Sequence, residues 1–331
     1  MRVTTDTPTI LITGANGFLG SRLCRTFSSR GFTVIAGVRK TADLTLLDGI
    51  PVVYRYGDIT NADTLGEMVV GCDYIIHNAG VVKANKRETF FSVNAGGTRA
   101  ICEAIVRAGV TPLRFVQISS LAVSGPSLGR PVKESDPPNP ITTYGRSKLE
   151  GERIVLEYAD KFPVTMIRPT GIYGPGDREM FSFFQAGARG LRVYLGNSTR
   201  KIQLVHVDDV CEAVYRATTI AVPSGEVFHV AEQSAYRIEE LVDMVASACG
   251  KRGLPLAIPG WVLTGVGVVN ESLFRLVGRV PMLTREKAGE LLASWEVSVD
   301  KARDVLGFES HIPFPIGASG TYDWYVAHGW L

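Results

Sequence analysis

The sequence has few cysteines, and their positions exclude the usual cysteine-based sites. Five cysteines occur in 331 residues, at positions 24, 72, 102, 211 and 249, and none forms a CxxC pair. Disulfide frameworks and structural zinc sites need an even or closely spaced set of cysteines. We therefore expect reduced thiols in a cytoplasmic protein, and we expect no bound metal.

The chain also lacks a concentration of charge of either sign. Its 35 Lys and Arg residues nearly balance 33 Asp and Glu residues, so the formal net charge is +2, and no dense basic run occurs. Nucleic-acid binding needs clustered cations opposite the phosphates. Nucleic acid is therefore not an expected partner. A hydrophobic content of 45% and a charged content of 21% are ordinary for an α/β enzyme with a small-molecule substrate.

No apolar run suits a membrane-spanning helix. Residues 1–9 are polar and lead into a strand that is too short for the core of a signal peptide. The segment Gly253–Asn270 contains 18 residues without a formal charge, but it includes Pro255, Pro259 and four glycines. A spanning helix accommodates these residues poorly. We predict that the segment is buried or faces substrate, and weak association with a membrane interface stays open.

A glycine-rich turn near the N-terminus predicts a dinucleotide site. The apolar run Ile10–Ile12 leads into Thr13–Gly20, which reads TGANGFLG, and a helix-like segment follows. This order of strand, glycine turn and helix is the context that a dinucleotide-binding fingerprint requires. Gly14 permits the tight turn, the second glycine lets the backbone approach a pyrophosphate, and Gly20 lets the helix pack closely on the strand. Free amides at the start of the helix attract the phosphate charge.

The whole chain alternates strand-like and helix-like segments. We predict strands near 9–13, 33–38, 52–56, 73–77, 113–119, 164–168 and 226–230, and helices near 18–30, 61–70, 92–108, 143–160, 207–219 and 238–250. Such alternation predicts an α/β fold, a Rossmann-type doubly wound parallel sheet with helices on both faces. The alternation loosens after Tyr173. We therefore expect a dinucleotide-binding domain of residues 1–172 plus 205–231 and a smaller, mixed C-terminal substrate lobe of residues 173–204 plus 232–331.

Candidate catalytic side chains follow two of these segments. Tyr144 and Lys148 are four residues apart and share one face of a predicted helix. A lysine beside a tyrosine lowers the pKa of the phenol and lets its oxygen exchange a proton nearer neutral pH. Ser119 and Ser120 follow a strand, at the sheet edge where ligands of open α/β sheets bind. A serine there can hydrogen-bond a reacting oxygen.

Together these features resemble the extended short-chain dehydrogenase/reductases, which include sugar-nucleotide epimerases, steroid dehydrogenases and dihydroflavonol reductases. The resemblance runs in order from about residue 9 to residue 210, and Leu306–Phe308 and Tyr322–Tyr325 resemble the usual ending. The matching pieces are Thr13–Gly20, Asp58-Ile59, His77–Gly80, Asn94, Gly97-Thr98, Ser119-Ser120, Tyr144–Lys148, Arg168-Pro169 and His206–Asp209.

The resemblance implies a role for each matching residue. Tyr144 is the acid/base, Lys148 lowers its pKa and holds the nicotinamide ribose, and Ser120 orients the substrate oxygen. Ser120 is preferred to Ser119 because the family's serine lies five residues before the glycine that Gly125 matches. His77 and His206 are structural hydrogen-bonding residues. Asp58 contacts the adenine, and Pro169 and Thr170 flank the nicotinamide. The full cofactor set is Gly14, Asn16, Gly17, Phe18, Leu19, Gly20, Arg39, Lys40, Asp58, Ile59, Asn78, Ala79, Gly80, Asn94, Tyr144, Lys148, Pro169 and Thr170. A homodimer, packed through the helices near 92–108 and 143–160, is also implied.

Residue 39 bears on the choice of cofactor. An NAD site usually places an acid about 20 residues past the glycines, on the ribose 2′-hydroxyl. The second strand here ends in Arg39 and Lys40. Arg39 can bind a 2′-phosphate through two hydrogen bonds. NADP(H) is therefore favoured, and NAD(H) stays open because Arg39 is equally suited to a solvated strand end.

Departures from the epimerase pattern indicate the substrate. Epimerases of this family usually have Tyr-Gly after the serines, whereas this chain has Ser124-Gly125, and the Asn that usually follows the arginine strand is missing from Arg168–Asp177. The latter segment resembles the steroid-dehydrogenase and dihydroflavonol-reductase branch. An apolar set in the substrate lobe suits a steroid-, flavonoid- or β-keto-acid-like alcohol or ketone. That set is Trp261, Val262, Leu263, Val266, Val268, Val269, Leu273, Phe274 and Leu276.

Two alternatives stay open. A sugar-nucleotide epimerase or dehydratase would keep NAD tightly bound and show no net change in its redox state. A regulatory protein that only senses the cofactor would have the same fold, but such relatives generally lack the Tyr/Lys pair that is present here.

Overall fold

The computed structural model describes residues 7–277 and 284–331, with the side chains of residues 271–277 outside the description. The strands are β1 Thr9–Thr13, β2 Thr33–Val38, β3 Val53–Tyr56, β4 Tyr74–His77, β5 Arg114–Ile118, β6 Val164–Pro169, β7 Gly171–Tyr173, β8 Leu191–Leu195, β9 Lys201–Ile202, β10 Leu204–His206, β11 Glu226–Val230, β12 Tyr236–Arg237 and β13 Leu254–Ile258. The helices are α1 Phe18–Ser29, α2 Gly66–Val69, α3 Arg87–Phe91, α4 Gly97–Arg107, α5 Thr143–Leu156, α6 Phe181–Ala188, α7 Val207–Thr219, α8 Ile238–Ala248, α9 Gly260–Val277, α10 Arg285–Leu292, α11 Asp300–Leu306 and α12 Phe314–Ala327.

A parallel sheet of seven strands forms the centre of the molecule, in the order β3-β2-β1-β4-β5-β6-β11. The predicted doubly wound Rossmann-type fold is therefore confirmed. The inner strands are buried on both faces, as in β1 and β5, and this explains their continuous apolar runs. The strand order reverses between β1 and β4, where a crevice opens at the carboxyl edge of such sheets.

Helices cover both faces of this sheet. On one face, α1 and α7 pack on each other and contribute Leu23, Phe27 and Val214 to the larger core cluster. On the other face, α4 and α5 contribute Ile101, Ile105 and other apolar residues to a second cluster. The two cores hold the carboxyl ends of the strands, and therefore the site, in a fixed arrangement.

Two predicted helices differ from their expected form. The region 61–70 contains a 3₁₀ turn and the short helix α2 instead of one helix. The region 92–108 begins with a π-type turn at Ser92–Gly96 before α4 starts. Short π-type turns are frequent at functional sites, because they place a side chain where a regular helix would not.

The C-terminal part forms small ribbons and helices around a third core. β7 pairs with β10, β8 with β13, and β9 with β12. Helices α6, α8 and α12 pack around Tyr173, Phe184 and Phe314. The sequence did not predict the six strands of these ribbons, because strands of two to five residues show little periodicity.

Most of Gly253–Asn270 is exposed, so the first alternative of the prediction, burial, is wrong there, and the second, contact with substrate, stays a prediction. It forms the edge strand β13 and the first half of α9, where Leu254 and Trp261 are 72% and 78% exposed. Only one side of α9 packs inward, through Leu263 and Gly267, so the opposite side remains exposed. The side chains of Leu273, Phe274 and Leu276, in the predicted apolar set, lie outside the described residues. Within the described residues, no helix is long and apolar enough to cross a membrane.

Candidate active site

The glycine turn has the geometry that the fingerprint predicts. Gly14 has a φ of +64° and lies against Ala79, whose Cα is 2.9 Å from where a Cβ on Gly14 would stand. A Cβ on Gly20 would clash with the Gly14 carbonyl oxygen. Both positions therefore require glycine. At Gly17 a Cβ would meet only an ordinary contact at 3.4 Å, so the protein itself does not require glycine there. The open space beside Gly17 is consistent with close approach of a ligand to the backbone.

The first turn of α1 is free to bind an anion. Its N-cap is Gly17, no side chain caps the helix, and no acid lies in its first turn. The amide groups of that turn therefore lack side-chain partners among the described residues. Such a helix start attracts phosphate. Next to it, Leu19 is buried in the core and Phe18 is half-buried.

Thr13 joins the carboxyl ends of β1 and β4. Its hydroxyl is 2.9 Å from His77 Nδ1 and accepts hydrogen bonds from the amides of Asn78 and Ala79, each at 3.1 Å. The Asn78 side chain also donates to the Gly14 carbonyl at 3.3 Å. Burial lowers the pKa of His77 to about 3, so its ring is neutral. His77 therefore serves in hydrogen bonding here.

Asn94 lies in the π-type turn and connects the loop after β4 with α5. Its buried side chain forms hydrogen bonds with both backbone groups of Val81. Asn94 Oδ1 accepts from the Val81 N–H at 2.8 Å, and Asn94 Nδ2 donates to the Val81 carbonyl at 3.0 Å. It also donates to Ser147 Oγ at 2.9 Å. Gly80 is required beside it, because a Cβ there would lie 2.9 Å from Asn94 Oδ1. Asn94 thus positions the segment Asn78–Gly80 relative to the catalytic helix.

Tyr144 and Ser120 meet at the carboxyl edge of the sheet. Ser120 Oγ accepts a hydrogen bond from the Ala122 amide at 3.1 Å, and its hydroxyl is near the Tyr144 phenol. Burial raises the pKa of Tyr144 to about 12, Glu290 and Glu179 add to that rise, and the neighbouring Ser120 hydroxyl opposes it. The phenol is therefore protonated at neutral pH. Ser119 is buried, and its hydroxyl has no hydrogen-bond partner among the described residues.

Lys148 lies one turn after Tyr144 but does not contact its hydroxyl. Its Nζ donates to the Ile118 carbonyl at 2.5 Å. Burial lowers the pKa of Lys148 to about 8, and the nearby Glu152 carboxylate opposes this effect. The strand carbonyl thus fixes the position of the ammonium, and the lowering of the tyrosine pKa by Lys148 stays a prediction.

The remaining predicted cofactor residues lie near the carboxyl ends of β6 and β2. Pro169 and Thr170 are buried at the end of β6, next to β5, and Thr170 Oγ1 has no hydrogen-bond partner among the described residues. Arg39 and Lys40 are exposed after β2. The Arg39 charge helps to lower the pKa of Asp58, after the hydrogen bonds from Thr60. Asn16 donates to the Asp43 carbonyl at 3.2 Å, and Ile59 packs against Gly97.

Sequence reasoning missed two contacts that hold the catalytic helix. Glu286 of α10 accepts from the Thr143 amide at 2.7 Å and from its hydroxyl at 3.0 Å, and it pairs with Arg146 at 2.6 Å. No local signal predicts this contact, because 143 residues separate the partners.

The second missed contact is a buried ion pair below the site. Arg168 binds Glu152 through two hydrogen bonds, at 2.9 and 2.6 Å, and donates to Ser124 Oγ at 3.1 Å. Ser124 in turn lies 2.8 Å from His229 Nε2. Glu152 follows Lys148 by four residues, a spacing that could have indicated a shared helix face.

Comparisons with known proteins agree with this geometry. The sequence model of the NAD dependent epimerase/dehydratase family matches residues 10–231, two thirds of the chain. The chain belongs to this family. A ceramide reductase of Caulobacter vibrioides is 30% identical over 323 residues, which cover 97% of this chain and 96% of that protein. A 3 beta-hydroxysteroid dehydrogenase/Delta 5-->4-isomerase of Mycobacterium tuberculosis is 30% identical, covering 93% of this chain and 87% of that one.

Among solved structures, MoeE5 in complex with UDP-glucuronic acid and NAD has a TM-score of 0.78 and 25% identity, covering 97% of this chain and 99% of that chain. The protein is therefore an NAD(P)-dependent enzyme of the extended short-chain dehydrogenase/reductase type. The described residues fit the dinucleotide that the family binds: the turn at Gly14 and Gly20, the uncapped start of α1 and the unpartnered Thr170 hydroxyl all lie at the carboxyl ends of strands of the parallel sheet.

Proposed function

We propose that the protein is a reductase or dehydrogenase that transfers hydride between NADP(H) and a secondary alcohol, or its ketone, in a largely apolar substrate. The position of the Ser120 hydroxyl near the protonated Tyr144 phenol carries this proposal. It brings a proton donor and a second hydroxyl together at the sheet edge where a carbonyl oxygen would be bound.

In the reductive direction, Tyr144 donates its phenolic proton to the carbonyl oxygen as that oxygen gains negative charge. Ser120 donates a hydrogen bond to the same oxygen, a contribution usually worth about 3 kcal/mol. When bound, the nicotinamide supplies or accepts the hydride at its C4. The high pKa of Tyr144, about 12, keeps the donor protonated until the substrate oxygen becomes basic enough to take the proton.

Lys148 would act through its charge in the same reaction. Its ammonium is buried one turn from Tyr144 and retains one donor contact, to the Ile118 carbonyl. An ammonium has three donors, so two are available for a cofactor ribose or for the phenolate that forms after proton transfer. A phenolate beside the ammonium is stabilised, and this favours the forward proton transfer.

The apolar substrate class rests on likeness and on local sequence. The two relatives described above carry names that refer to a ceramide and to a hydroxysteroid, both substrates with apolar skeletons. The segment after Arg168-Pro169 also lacks the asparagine that is usual in sugar-nucleotide epimerases. A steroid-, ceramide- or flavonoid-like ketone, or a β-keto acid, is therefore the substrate class to test first.

The preference for NADP(H) rests on Arg39. Arg39 is exposed at the end of β2, and no acid occupies the position that usually binds the 2′-hydroxyl. Its guanidinium suits a 2′-phosphate. Replacement by alanine, Arg39→Ala, should weaken binding of NADP(H) about tenfold or more and leave NAD(H) binding nearly unchanged. Equal losses for both cofactors, measured by fluorescence titration, would refute the phosphate role.

One observation favours a sugar-nucleotide substrate as the second candidate. Arg200 is buried in the C-terminal part, and its Nε and one Nη have no hydrogen-bond partner among the described residues. Burial lowers the pKa of Arg200 to about 10. A buried cation with unused donors suits an anionic group such as a diphosphate. In an epimerase or dehydratase with tightly bound NAD, Arg200 would bind the diphosphate of the sugar nucleotide. MoeE5 was solved in complex with UDP-glucuronic acid.

A substrate panel separates the two candidates. Oxidation of NADPH and NADH is followed with ketosteroids, β-keto acids, 3-ketosphingoid lipids and flavonoid ketones, and UDP-sugars are assayed by product analysis. Net oxidation with an apolar ketone supports the reductase. Interconversion of a UDP-sugar without net change in the cofactor would overturn it, and Arg200→Ala should then raise the KM for the nucleotide sugar. In a reductase of neutral ketones, Arg200→Ala should leave the KM for the ketone nearly unchanged.

A further inference from the structure

An exposed apolar surface lies on the C-terminal part of the molecule, along β13 and the first half of α9. Leu254 and Leu256 of the strand are 72% and 47% exposed, and Trp261 and Val269 of the helix are 78% and 55% exposed. The chain from Gly253 to Asn270 carries no charged side chain. We call the exposed part of this segment, Leu254–Val269, the apolar face.

The orientation of α9 explains why this face stays outside the core. Leu263 is buried, and a Cβ on Gly267 would lie 2.9 Å from the Thr284 carbonyl oxygen, so this side of the helix packs toward α10. Trp261, Gly265 and Val269 follow one another every four residues on the other side. Helices that face water normally carry charged residues on that side. A contiguous apolar surface of this kind usually binds something.

Basic residues border one end of the apolar face. β8 and β13 are parallel, and the Leu254 amide donates to the Gly190 carbonyl at 2.8 Å, so the starts of the two strands are adjacent. Arg189, Lys251 and Arg252 all lie at this end and are exposed. Asp243 of α8 pairs with Arg192 of β8 at 2.9 Å. The border is therefore positively charged.

We propose that the apolar face docks on the surface of an anionic phospholipid membrane, with Trp261 and the two leucines of β13 in the interface and the three basic residues on the headgroups. Exposed Trp and Leu beside Lys and Arg are the composition of interfacial, non-spanning membrane contacts. A second copy of this chain is a poorer occupant, because it would present the same positive border.

The apolar face is connected to the candidate site through helix α10. α9 packs on α10, and Glu286 of α10 binds the residue that precedes Tyr144. A membrane under the apolar face would therefore lie close to α10, which binds the start of the catalytic helix α5. The inference goes beyond the proposed function and does not depend on it, because docking involves no reaction.

Flotation of the full chain with lipid vesicles tests the proposal. Vesicles of phosphatidylcholine with phosphatidylglycerol are compared with pure phosphatidylcholine vesicles. We expect the protein to float with the anionic vesicles and to bind pure phosphatidylcholine at least about tenfold more weakly. The double variants Leu256→Ser/Trp261→Ser and Lys251→Gln/Arg252→Gln should each lose about tenfold or more of the anionic binding.

Leu128→Ser is the matched control, because Leu128 is 82% exposed on a loop that is far from β13 and α9 in the sequence. It should float like the unchanged chain. Circular dichroism confirms that each variant is folded, so the result does not depend on activity. Absence of flotation with anionic vesicles, or equal flotation of the Leu256→Ser/Trp261→Ser variant, would overturn the proposal. A dimer that becomes a monomer in that variant, by light scattering, would assign the face to a second copy and would also overturn it.

Discussion

At the scale of residues, the site combines a protonated phenol with a buried ammonium. Burial raises the pKa of Tyr144 and lowers that of Lys148, so each group is shifted toward its neutral form. Tyr144 is thus a proton donor over the whole neutral pH range, whereas the pKa of Lys148, about 8, lies close to that range. Paired groups with opposite shifts are common at functional sites.

Tyr144→Phe should abolish most turnover. Removing the phenolic hydroxyl removes the proton donor, and general acid catalysis contributes about 10²–10⁴-fold. Cofactor affinity should change little, because the ring remains. The matched control is Tyr158→Phe, a buried tyrosine just beyond the end of α5. Steady-state rates and cofactor titration measure the two effects. Turnover within about twofold of the unchanged enzyme would rule out Tyr144 as the acid.

Turnover should fall as the pH rises through about 8. At that pH the Lys148 ammonium loses its proton, since burial holds its pKa at about 8. Two other groups near it do not titrate there: His77 of β4 is neutral with a pKa of about 3, and Tyr144 stays protonated to about 12. Glu152, also near Lys148, is ion-paired with Arg168. A pH–rate profile of kcat measures the alkaline limb.

The Lys148→Arg variant provides the control for this limb. Arginine stays protonated over the whole accessible range, so the residual activity of the variant should remain level across the same pH interval. The same alkaline limb in both proteins would show that a group other than Lys148 produces it.

At the scale of elements, the start of helix α5 is held from both sides. Thr142 caps it by accepting from the Gly145 amide at 3.0 Å, and Glu286 of α10 accepts from the Thr143 amide. A carboxylate at this end also interacts favourably with the helix dipole. The C-terminal part of the chain therefore contributes directly to the position of Tyr144.

Glu286→Ala should lower the free energy of unfolding by about 1 kcal/mol, because it removes two hydrogen bonds and a half-exposed ion pair. It should also lower kcat/KM about fivefold or more, since the residue before Tyr144 loses its anchor. Urea unfolding and steady-state kinetics measure these effects.

Glu290→Ala, on the same helix, is the control for Glu286→Ala. The Glu290 side chain pairs with Lys287 of its own helix, at 2.9 Å, and is not bonded to α5. It should therefore be nearly neutral in stability. Equal losses of stability in the two variants would contradict a specific role of Glu286.

At the scale of the whole molecule, the outer surfaces of α4 and α5 remain available for a partner copy. The two helices are joined by the Arg99–Glu157 ion pair at 2.8 Å, and Val106 and Leu156 are exposed on them. A four-helix bundle with a second copy would cover these residues, as the family resemblance implies.

We predict a homodimer at micromolar concentration, measured by size-exclusion chromatography with light scattering. Leu156→Arg should shift the protein toward monomer, because it places a charge where apolar side chains would meet. Leu113→Arg is the control, since Leu113 is 60% exposed at the opposite, amino-terminal edge of β5. A monomer in the unchanged protein would contradict the prediction.

The sequence by itself determined the central fold and the catalytic candidates. The strands and helices of the Rossmann-type core follow from apolar runs and helix periodicity, which are local properties. The glycine turn follows from a backbone conformation that only glycine adopts easily, so its spacing is readable directly. Tyr144 could be named because Lys148 follows it by four residues, and Ser119 and Ser120 because they follow a strand. The family resemblance supplied the choice of Ser120 between the two serines.

Only the tertiary structure decided which groups meet. It showed that Lys148 binds the Ile118 carbonyl, that Glu286 holds the start of α5, and that Arg168 is neutralised by Glu152. It also showed that most apolar residues of Gly253–Asn270 are exposed and not buried, which leaves contact with substrate as the untested part of that prediction. Composition reports how apolar a segment is, but burial depends on what packs against it. Contacts between residues far apart in the chain leave no periodic signal in the sequence.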